Sequence, residues 1–110
     1  AHADPAWIKG WIGMAGPYDF APITDPKVVE VFGGDPNNPA TQPIAYVHRG
    51  APPALLMHGL DDATVYPRNS EHLDNTLKAY VNQSILKIYP GVGHAGLILG
   101  LATRFDWNAG

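Results

Sequence analysis

The chain has 110 residues, 45% of them hydrophobic and 15% charged, which suits one small core and leaves too little chain for two domains. A formal net charge of −3 and the lack of a basic run argue against nucleic acid as a partner. No cysteine is present, which excludes disulfides and thiolate metal sites, and the longest apolar stretch, residues 95–102, is too short to span a bilayer. The first residues do not resemble a signal peptide, and the sequence indicates no compartment.

The first half of the chain predicts a strand, a short helix and a long irregular segment. Residues 7–14 form an apolar run that ends at a Gly-Pro turn, which is typical of a buried strand. Residues 26–32 begin with a proline, which suits a first helical turn, and are followed by two glycines that would stop the helix. Residues 33–53 contain five prolines but also apolar residues that can pack, so we expect a loop or cap element rather than a linker.

The second half predicts two further strands, each followed by a helix. Residues 54–58 are almost continuously apolar, as in a strand covered on both faces, and residues 85–89 alternate like a strand nearer the edge of a sheet. The helix opened by Pro67 is expected to carry Leu73, Leu77, Tyr80 and Val81 on one face. The helix that begins at about Ala95 is expected to bury Leu97, Ile98, Leu101 and Phe105.

This order predicts an α/β fold of about three parallel strands with flanking helices, in a single domain over residues 1–110. In such a sheet the loops that follow the strands share one edge, where ligands bind. Asp62 lies in the loop after the second predicted strand, and His94 lies in the glycine-rich loop after the third. A carboxylate that holds one imidazole nitrogen leaves the other free to act as a general base. On spacing alone, Asp62 could equally cap a turn and His94 could be an ordinary loop residue.

Several motifs together resemble the α/β-hydrolases of the esterase and lipase branch, over nearly the whole chain. The string His58-Gly59-Leu60-Asp61-Asp62-Ala63-Thr64-Val65-Tyr66-Pro67 is similar to the acid-bearing loop of that fold, and Gly91-Val92-Gly93-His94 to its histidine loop. Residues 43–47 and 52–59 resemble the approach to the acid strand, and residues 13–19 resemble the strand that follows the nucleophile helix.

The resemblance implies that Asp62 is the acid and His94 the base of a catalytic triad, with the neighbouring Asp61 as a loop or capping residue. Tyr66, beside the acid loop, is the best candidate for a wall of the substrate site. Trp7, Trp11, Tyr46 and Trp107 could also line an acyl pocket, although core packing is the simpler role for the tryptophans.

The chain departs from the family pattern because it has no nucleophile. The G-x-S-x-G elbow and the His-Gly-Gly type of oxyanion loop are both missing, and the only serines are Ser70 and Ser84. Ser70 falls inside a predicted helix and Ser84 at the opposite end of a strand from the ligand-binding edge. Since the elbow precedes the acid in this family, the resemblance is to the C-terminal part of a hydrolase whose nucleophile-bearing N-terminal part is absent.

Two other types of site are not supported. Residues 91–96 match G-x-G-x-x-G, but the acidic residue that a dinucleotide site needs about 20 positions later does not exist in this chain. The remaining histidines, including His58, show no metal-ligand spacing, and His58 is expected to hydrogen-bond within the rim of the sheet.

The sequence therefore predicts part of a serine carboxylic-ester hydrolase, inactive alone, which needs no cofactor and no metal. Its expected partners are a small-molecule ester and either the missing N-terminal part or a second copy, because an open three-stranded sheet needs its edges covered. Two alternatives stay open: a non-catalytic association module derived from a hydrolase, and part of a prolyl-oligopeptidase-type peptidase or an arylformamidase.

Overall fold

The computed structural model describes residues 8–104, which form a three-stranded parallel sheet with helices packed against it. The strands are β1 (Trp11–Met14), β2 (Ala54–Gly59) and β3 (Ser84–Tyr89), in the order β1-β2-β3. The helices are α1 (Pro26–Val31), α2 (Arg68–Ala79) and α3 (His94–Arg104), and two 3-10 turns, Pro39–Thr41 and Pro43–Tyr46, lie between α1 and β2. The predicted α/β fold of three parallel strands with flanking helices is confirmed.

The central strand β2 is apolar on both faces because successive side chains of a strand point to opposite sides. Leu56 is fully buried and packs with Leu73 and Leu77 of α2 on one face. Met57 points to the other face, where it packs with Leu97 of α3. The two small cores therefore hold α2 and α3 on opposite sides of the strand from which the acid loop emerges.

The face that carries α3 is covered only in part. Ile12, Leu55 and Ile85 are paired in register across the three strands, and they form an apolar row on this face. Ile12 is 63% exposed and Ile85 is 60% exposed. In the part of the chain that the structure describes, this row is an open apolar surface on the sheet.

The prediction that Tyr80 and Val81 share one face of α2 with Leu73 and Leu77 was wrong. The helix ends at Ala79, and Tyr80 and Val81 lie beyond it with 46% and 73% of their surface exposed. Val81 has a φ of 64°, which is left-handed and breaks the helical periodicity on which the prediction relied. Leu73 and Leu77 are buried.

The sequence predicted too many residues on the inner side of α3. Leu97 is buried, but Ile98 is 47% exposed, because only a narrow stripe of α3 meets β2. The predicted inner positions Leu101 and Phe105 lie outside the side chains that the structure describes, as do Trp7 and Trp107. Within residues 8–104, no helix is long and apolar enough to cross a membrane.

Candidate active site

Two loops meet at the C-terminal edge of the sheet: the acid loop, residues 60–67, and the histidine loop, residues 90–93. Their backbones are joined directly. The N–H of Asp61 donates to the carbonyl of Val92 at 3.0 Å, and the N–H of Leu60 donates at 2.9 Å to the carbonyl of Tyr89, the last residue of β3 before the histidine loop. Backbone hydrogen bonds alone therefore hold the two loops together.

Gly59, the last residue of β2, lets the loops approach this closely. A Cβ atom at position 59 would collide with the carbonyl group of Val92. The obstacle is backbone, so no change of rotamer could relieve the overlap. A glycine is therefore required here for the histidine loop to lie against the acid loop.

Asp62 is the buried carboxylate of the acid loop, with 2% of its surface exposed. Its Oδ1 accepts hydrogen bonds from the backbone N–H groups of Thr64 at 3.0 Å and Val65 at 2.9 Å. Its Oδ2 accepts a hydrogen bond from Nδ1 of His94 at 2.8 Å. The loop thus folds around the carboxylate and aims one oxygen at the histidine.

The pKa of Asp62 is lowered from its ordinary value of 3.8, although two opposing effects act on it. Burial is the largest single effect and raises the pKa, because the ionised form loses water. The hydrogen bonds from the Val65 N–H, the His94 side chain and the Thr64 N–H, together with the attraction of the His94 charge, favour the ionised form and outweigh burial. Asp62 is therefore a carboxylate at neutral pH.

His94 is the first residue of α3, and 35% of its side chain is exposed. A carboxylate can only accept, so Nδ1 of His94 carries the hydrogen of the bond to Asp62. In the neutral ring Nε2 then holds the lone pair. The arrangement provides what a general base requires, which is a fixed tautomer and a basic nitrogen on a side chain that solvent reaches.

The structure distinguishes Asp61 from Asp62, the two candidates for the acid. Asp61 is exposed, and its contact with the histidine loop is made by its backbone N–H. Asp62 is the one that is buried and bonded to His94. The sequence-predicted pair, Asp62 and His94, is thus brought together by the fold.

Neither serine lies where it could attack a substrate beside His94. Ser70 is fully buried in α2, where its Oγ lies 2.6 Å from Nδ1 of His58. Ser84 begins β3, at the opposite end of the strand from the histidine loop, and its hydroxyl donates to Asp74 at 2.6 Å.

His58 is the residue at this site to which the sequence reasoning assigned no role there. It is fully buried, and its Nε2 lies 2.7 Å from the carbonyl oxygen of Val65 and 3.3 Å from Oδ2 of Asp62. The prediction that it hydrogen-bonds at the rim agrees with these contacts. The sequence reasoning did not use the one signal that links His58 to the acid, which is its position four residues before Asp62.

Tyr66 is 53% exposed at the end of the acid loop, with the guanidinium of Arg68 5.2 Å from the centre of its ring. It lines a cleft of about 460 Å³ between the acid loop and the segment that leads into α1. The apolar walls of this cleft include Phe20, Ile23 and Val65. Tyr46, another aromatic candidate, is 63% exposed and lies instead in a smaller cavity beside Trp11.

Comparison with solved structures shows the same fold in esterases. One is a truncated form of a carbohydrate esterase from gut microbiota, with a TM-score of 0.73 and 20% identity over 93% of this chain and 42% of that one. Another is native esterase 2 of the Planctomycetes species Thermogutta terrifontis, with a TM-score of 0.62 and 21% identity over 93% of this chain and 42% of that one. The chain spans about two fifths of the length of these structures, and identities this low establish the fold alone.

Comparison of sequences places the chain in a family. Residues 24–107 match the profile of the prolyl oligopeptidase family, while no curated protein matches the chain. The predicted resemblance to the C-terminal part of α/β-hydrolases is confirmed, with esterases as the neighbours in fold. Because the family match extends over most of the sequence, this chain belongs to the prolyl oligopeptidase family of α/β-hydrolases.

Proposed function

We propose that this chain supplies the acid and the base of a serine carboxylic-ester hydrolase, with Asp62 as the acid and His94 as the base. The observation that carries the proposal is the 2.8 Å hydrogen bond between Oδ2 of Asp62 and Nδ1 of a partly exposed His94. The lowered pKa of Asp62 supports it, because only an ionised carboxylate can stabilise the imidazolium that forms during the reaction.

The proposed reaction uses this pair of residues as follows. Nε2 of His94 takes the proton of a serine hydroxyl as the serine oxygen attacks the ester carbonyl. The resulting imidazolium gives that proton to the departing alcohol, and an acyl-enzyme forms. Water then attacks the acyl group, with His94 again taking a proton and returning it to the serine. Asp62 stays ionised throughout and keeps the ring in the productive tautomer.

The serine comes from a part that this chain lacks, since its serines, Ser70 and Ser84, are both bonded elsewhere. We therefore expect the chain to be inactive alone. The open apolar row of Ile12, Leu55 and Ile85 supports docking of a complementary part, because burying such a row removes apolar surface from water. That part is either the nucleophile-bearing region of the same enzyme or, as the competing partner, a second copy of this chain.

An ester is the substrate class we propose because the neighbours in fold are esterases. The cleft beside Tyr66 supports an apolar group on the substrate, since its walls include Phe20, Ile23 and Val65. Tyr66 is thus the residue that we expect to contact substrate.

Peptide-bond hydrolysis is a second candidate, and the match of residues 24–107 to the prolyl oligopeptidase family favours it. The same acid and base would serve both reactions. A third, non-catalytic candidate is an association module, which the open apolar row supports.

One experiment separates these functions. Hydrolysis of p-nitrophenyl butyrate and of a proline p-nitroanilide is measured with this chain alone and with the polypeptide extended by the coding segment upstream of Ala1. Ester cleavage by the extended protein only would support the proposal, and preferential anilide cleavage would favour the peptidase. Ester cleavage by the chain alone would overturn the proposal that another part supplies the serine. A well-folded extended protein that contains a G-x-S-x-G elbow and cleaves neither substrate would favour the association module.

A further inference from the structure

A second hydrogen-bonded set of buried side chains adjoins Asp62, and the proposed reaction does not use it. It consists of Ser70 on α2 and His58 on β2, both fully buried. Nδ1 of His58 lies 2.6 Å from the Ser70 hydroxyl, and Nε2 lies 2.7 Å from the Val65 carbonyl and 3.3 Å from Oδ2 of Asp62.

The partners of His58 determine where its proton resides. The Val65 carbonyl can only accept, so Nε2 must carry a hydrogen. In the neutral ring Nδ1 is then an acceptor, and the Ser70 hydroxyl donates to it. Every polar atom of the His58 ring is satisfied in this one tautomer, and its single ring N–H is directed toward Val65 and Asp62.

The arrangement contains a serine, a histidine and an aspartate, but it is not a second catalytic triad. Ser70 and His58 have no exposed surface, and Asp62 has 2%. No substrate carbonyl can reach Oγ of Ser70 without unfolding α2 from the sheet. The role left to these residues is to hold other groups in place.

Val65 connects the two hydrogen-bonded sets. Its N–H donates to Oδ1 of Asp62 at 2.9 Å, while its carbonyl accepts from Nε2 of His58. The same Nε2–H lies 3.3 Å from Oδ2, the oxygen that holds His94. His58 therefore contacts the carboxylate directly and also fixes the residue that caps it.

We propose that Ser70 and His58 form a positioning relay, in which the Ser70 hydroxyl holds His58 in its Nε2–H tautomer so that His58 orients the Asp62 carboxylate toward His94. The importance of this relay for catalysis rests on the proposed function of Asp62 and His94. The relay itself is a property of the folded chain and can be measured without a substrate.

The first test uses the unmodified chain. Two-bond ¹H–¹⁵N spectra at neutral pH report which ring nitrogen of each histidine carries a proton. The relay requires the Nε2–H form for His58 and the Nδ1–H form for His94. A His58 ring protonated on Nδ1, or on both nitrogens, overturns the proposal, and no variant is needed to reach that result.

The second test removes the relay donor with Ser70→Ala, and Ser84→Ala is the matched control. Ser84→Ala also removes a 2.6 Å hydrogen bond, to Asp74, but Ser84 starts β3, four residues before the residue that pairs with His58. In Ser70→Ala we expect the His94 Nδ1 proton to exchange with water about tenfold faster, which corresponds to about 1.4 kcal/mol and is the size of one lost hydrogen bond. In Ser84→Ala we expect less than about a twofold change, because its partner does not contact Asp62.

The outcomes separate the relay from the proposed function. Unchanged exchange in a folded Ser70→Ala variant, or an equal change in Ser84→Ala, overturns the relay and leaves the hydrolase proposal standing. Faster exchange in Ser70→Ala alone supports the relay even if no hydrolysis is found. In the extended enzyme, the relay further predicts that Ser70→Ala lowers kcat about tenfold with KM nearly unchanged, because orientation of the base acts on the transition state.

Discussion

Replacing Asp62 with asparagine tests the acid loop most sharply. The side chain keeps its shape but loses its charge, and one of its two oxygens becomes an NH₂ group. The Oδ1 position can still accept from the N–H groups of Thr64 and Val65. The new NH₂ would face Nδ1 of His94 and the Nε2–H of His58, which are both donors in the native arrangement.

The expected loss follows from these contacts. Hydrogen bonds to a charged group contribute about 1.5–3 kcal/mol, against about 0.5–1.5 kcal/mol for neutral ones, so each retained bond weakens and the bond from His94 is lost. The substitution also removes the cost of burying a charge, which offsets part of this loss in stability. Because the pKa of Asp62 is lowered, its contacts outweigh the cost of burial. We expect Asp62→Asn to lower the free energy of unfolding by about 2–3 kcal/mol at pH 7.

The effect should depend on pH with a defined sign. In the unfolded chain Asp62 titrates near its ordinary value of 3.8, and in the folded chain its pKa is lower. The stability that ionised Asp62 contributes is therefore fully present above pH 3.8 and is lost as the pH falls through the folded value. The difference between the native chain and Asp62→Asn should shrink over that acidic range.

The assay is urea unfolding followed by circular dichroism at a series of pH values. Asp61→Asn is the matched control, because Asp61 is the exposed neighbouring carboxylate and should change stability by less than about 0.5 kcal/mol. A loss below about 0.5 kcal/mol for Asp62→Asn at pH 7, or a loss that does not change with pH, would refute the reasoning.

Three further substitutions test the loop contact, the core and a surface ion pair. Gly59→Ala should destabilise the chain by about 2–3 kcal/mol in thermal unfolding and displace the histidine loop in NMR spectra, because its Cβ meets the Val92 carbonyl; native-like stability would contradict this close approach. Leu56→Ala, at the fully buried centre of β2, should cost about 3–4 kcal/mol in urea unfolding, and a cost below about 1 kcal/mol would place the core elsewhere. His72→Ala, which breaks a partly exposed 2.7 Å pair with Asp19, should cost less than about 0.5 kcal/mol in urea unfolding. A cost above about 2 kcal/mol would mean that this pair holds the loop after β1.

The sequence predicted the strands and the acid and histidine loops because their signals are local. A continuous apolar run such as residues 54–58 has few alternatives to a buried strand, and glycine-rich turns mark the ends of such strands. Parallel strands place the loops that follow them at one edge of the sheet, and from this rule the sequence predicted that Asp62 and His94 lie at the same edge.

The errors arose where periodicity was extended past the end of an element. Tyr80 and Val81 continue the apolar spacing of α2, but the chain has already turned at Val81 with a positive φ. Ile98 follows the helical pattern of α3, yet the part of the sheet that the structure describes covers only the neighbouring Leu97. Spacing indicates which residues share a face but not how much of that face is covered.

The His58 and Ser70 contacts were beyond prediction for a different reason. Ser70 lies on α2 and His58 on β2, and their 2.6 Å contact depends on the rotation of α2 against the sheet. No local pattern encodes that rotation, which is set by the packing of Leu73 and Leu77 on Leu56.

The central claim, that His94 is the base of an ester hydrolase, is tested most directly by kcat/KM for p-nitrophenyl butyrate in the polypeptide extended upstream of Ala1. We predict that His94→Ala lowers this value by about a thousandfold, since general-base catalysis contributes about 10²–10⁴-fold, while the control His72→Ala changes it by less than about twofold. Retention of more than about a tenth of the activity by a folded His94→Ala variant would contradict the claim.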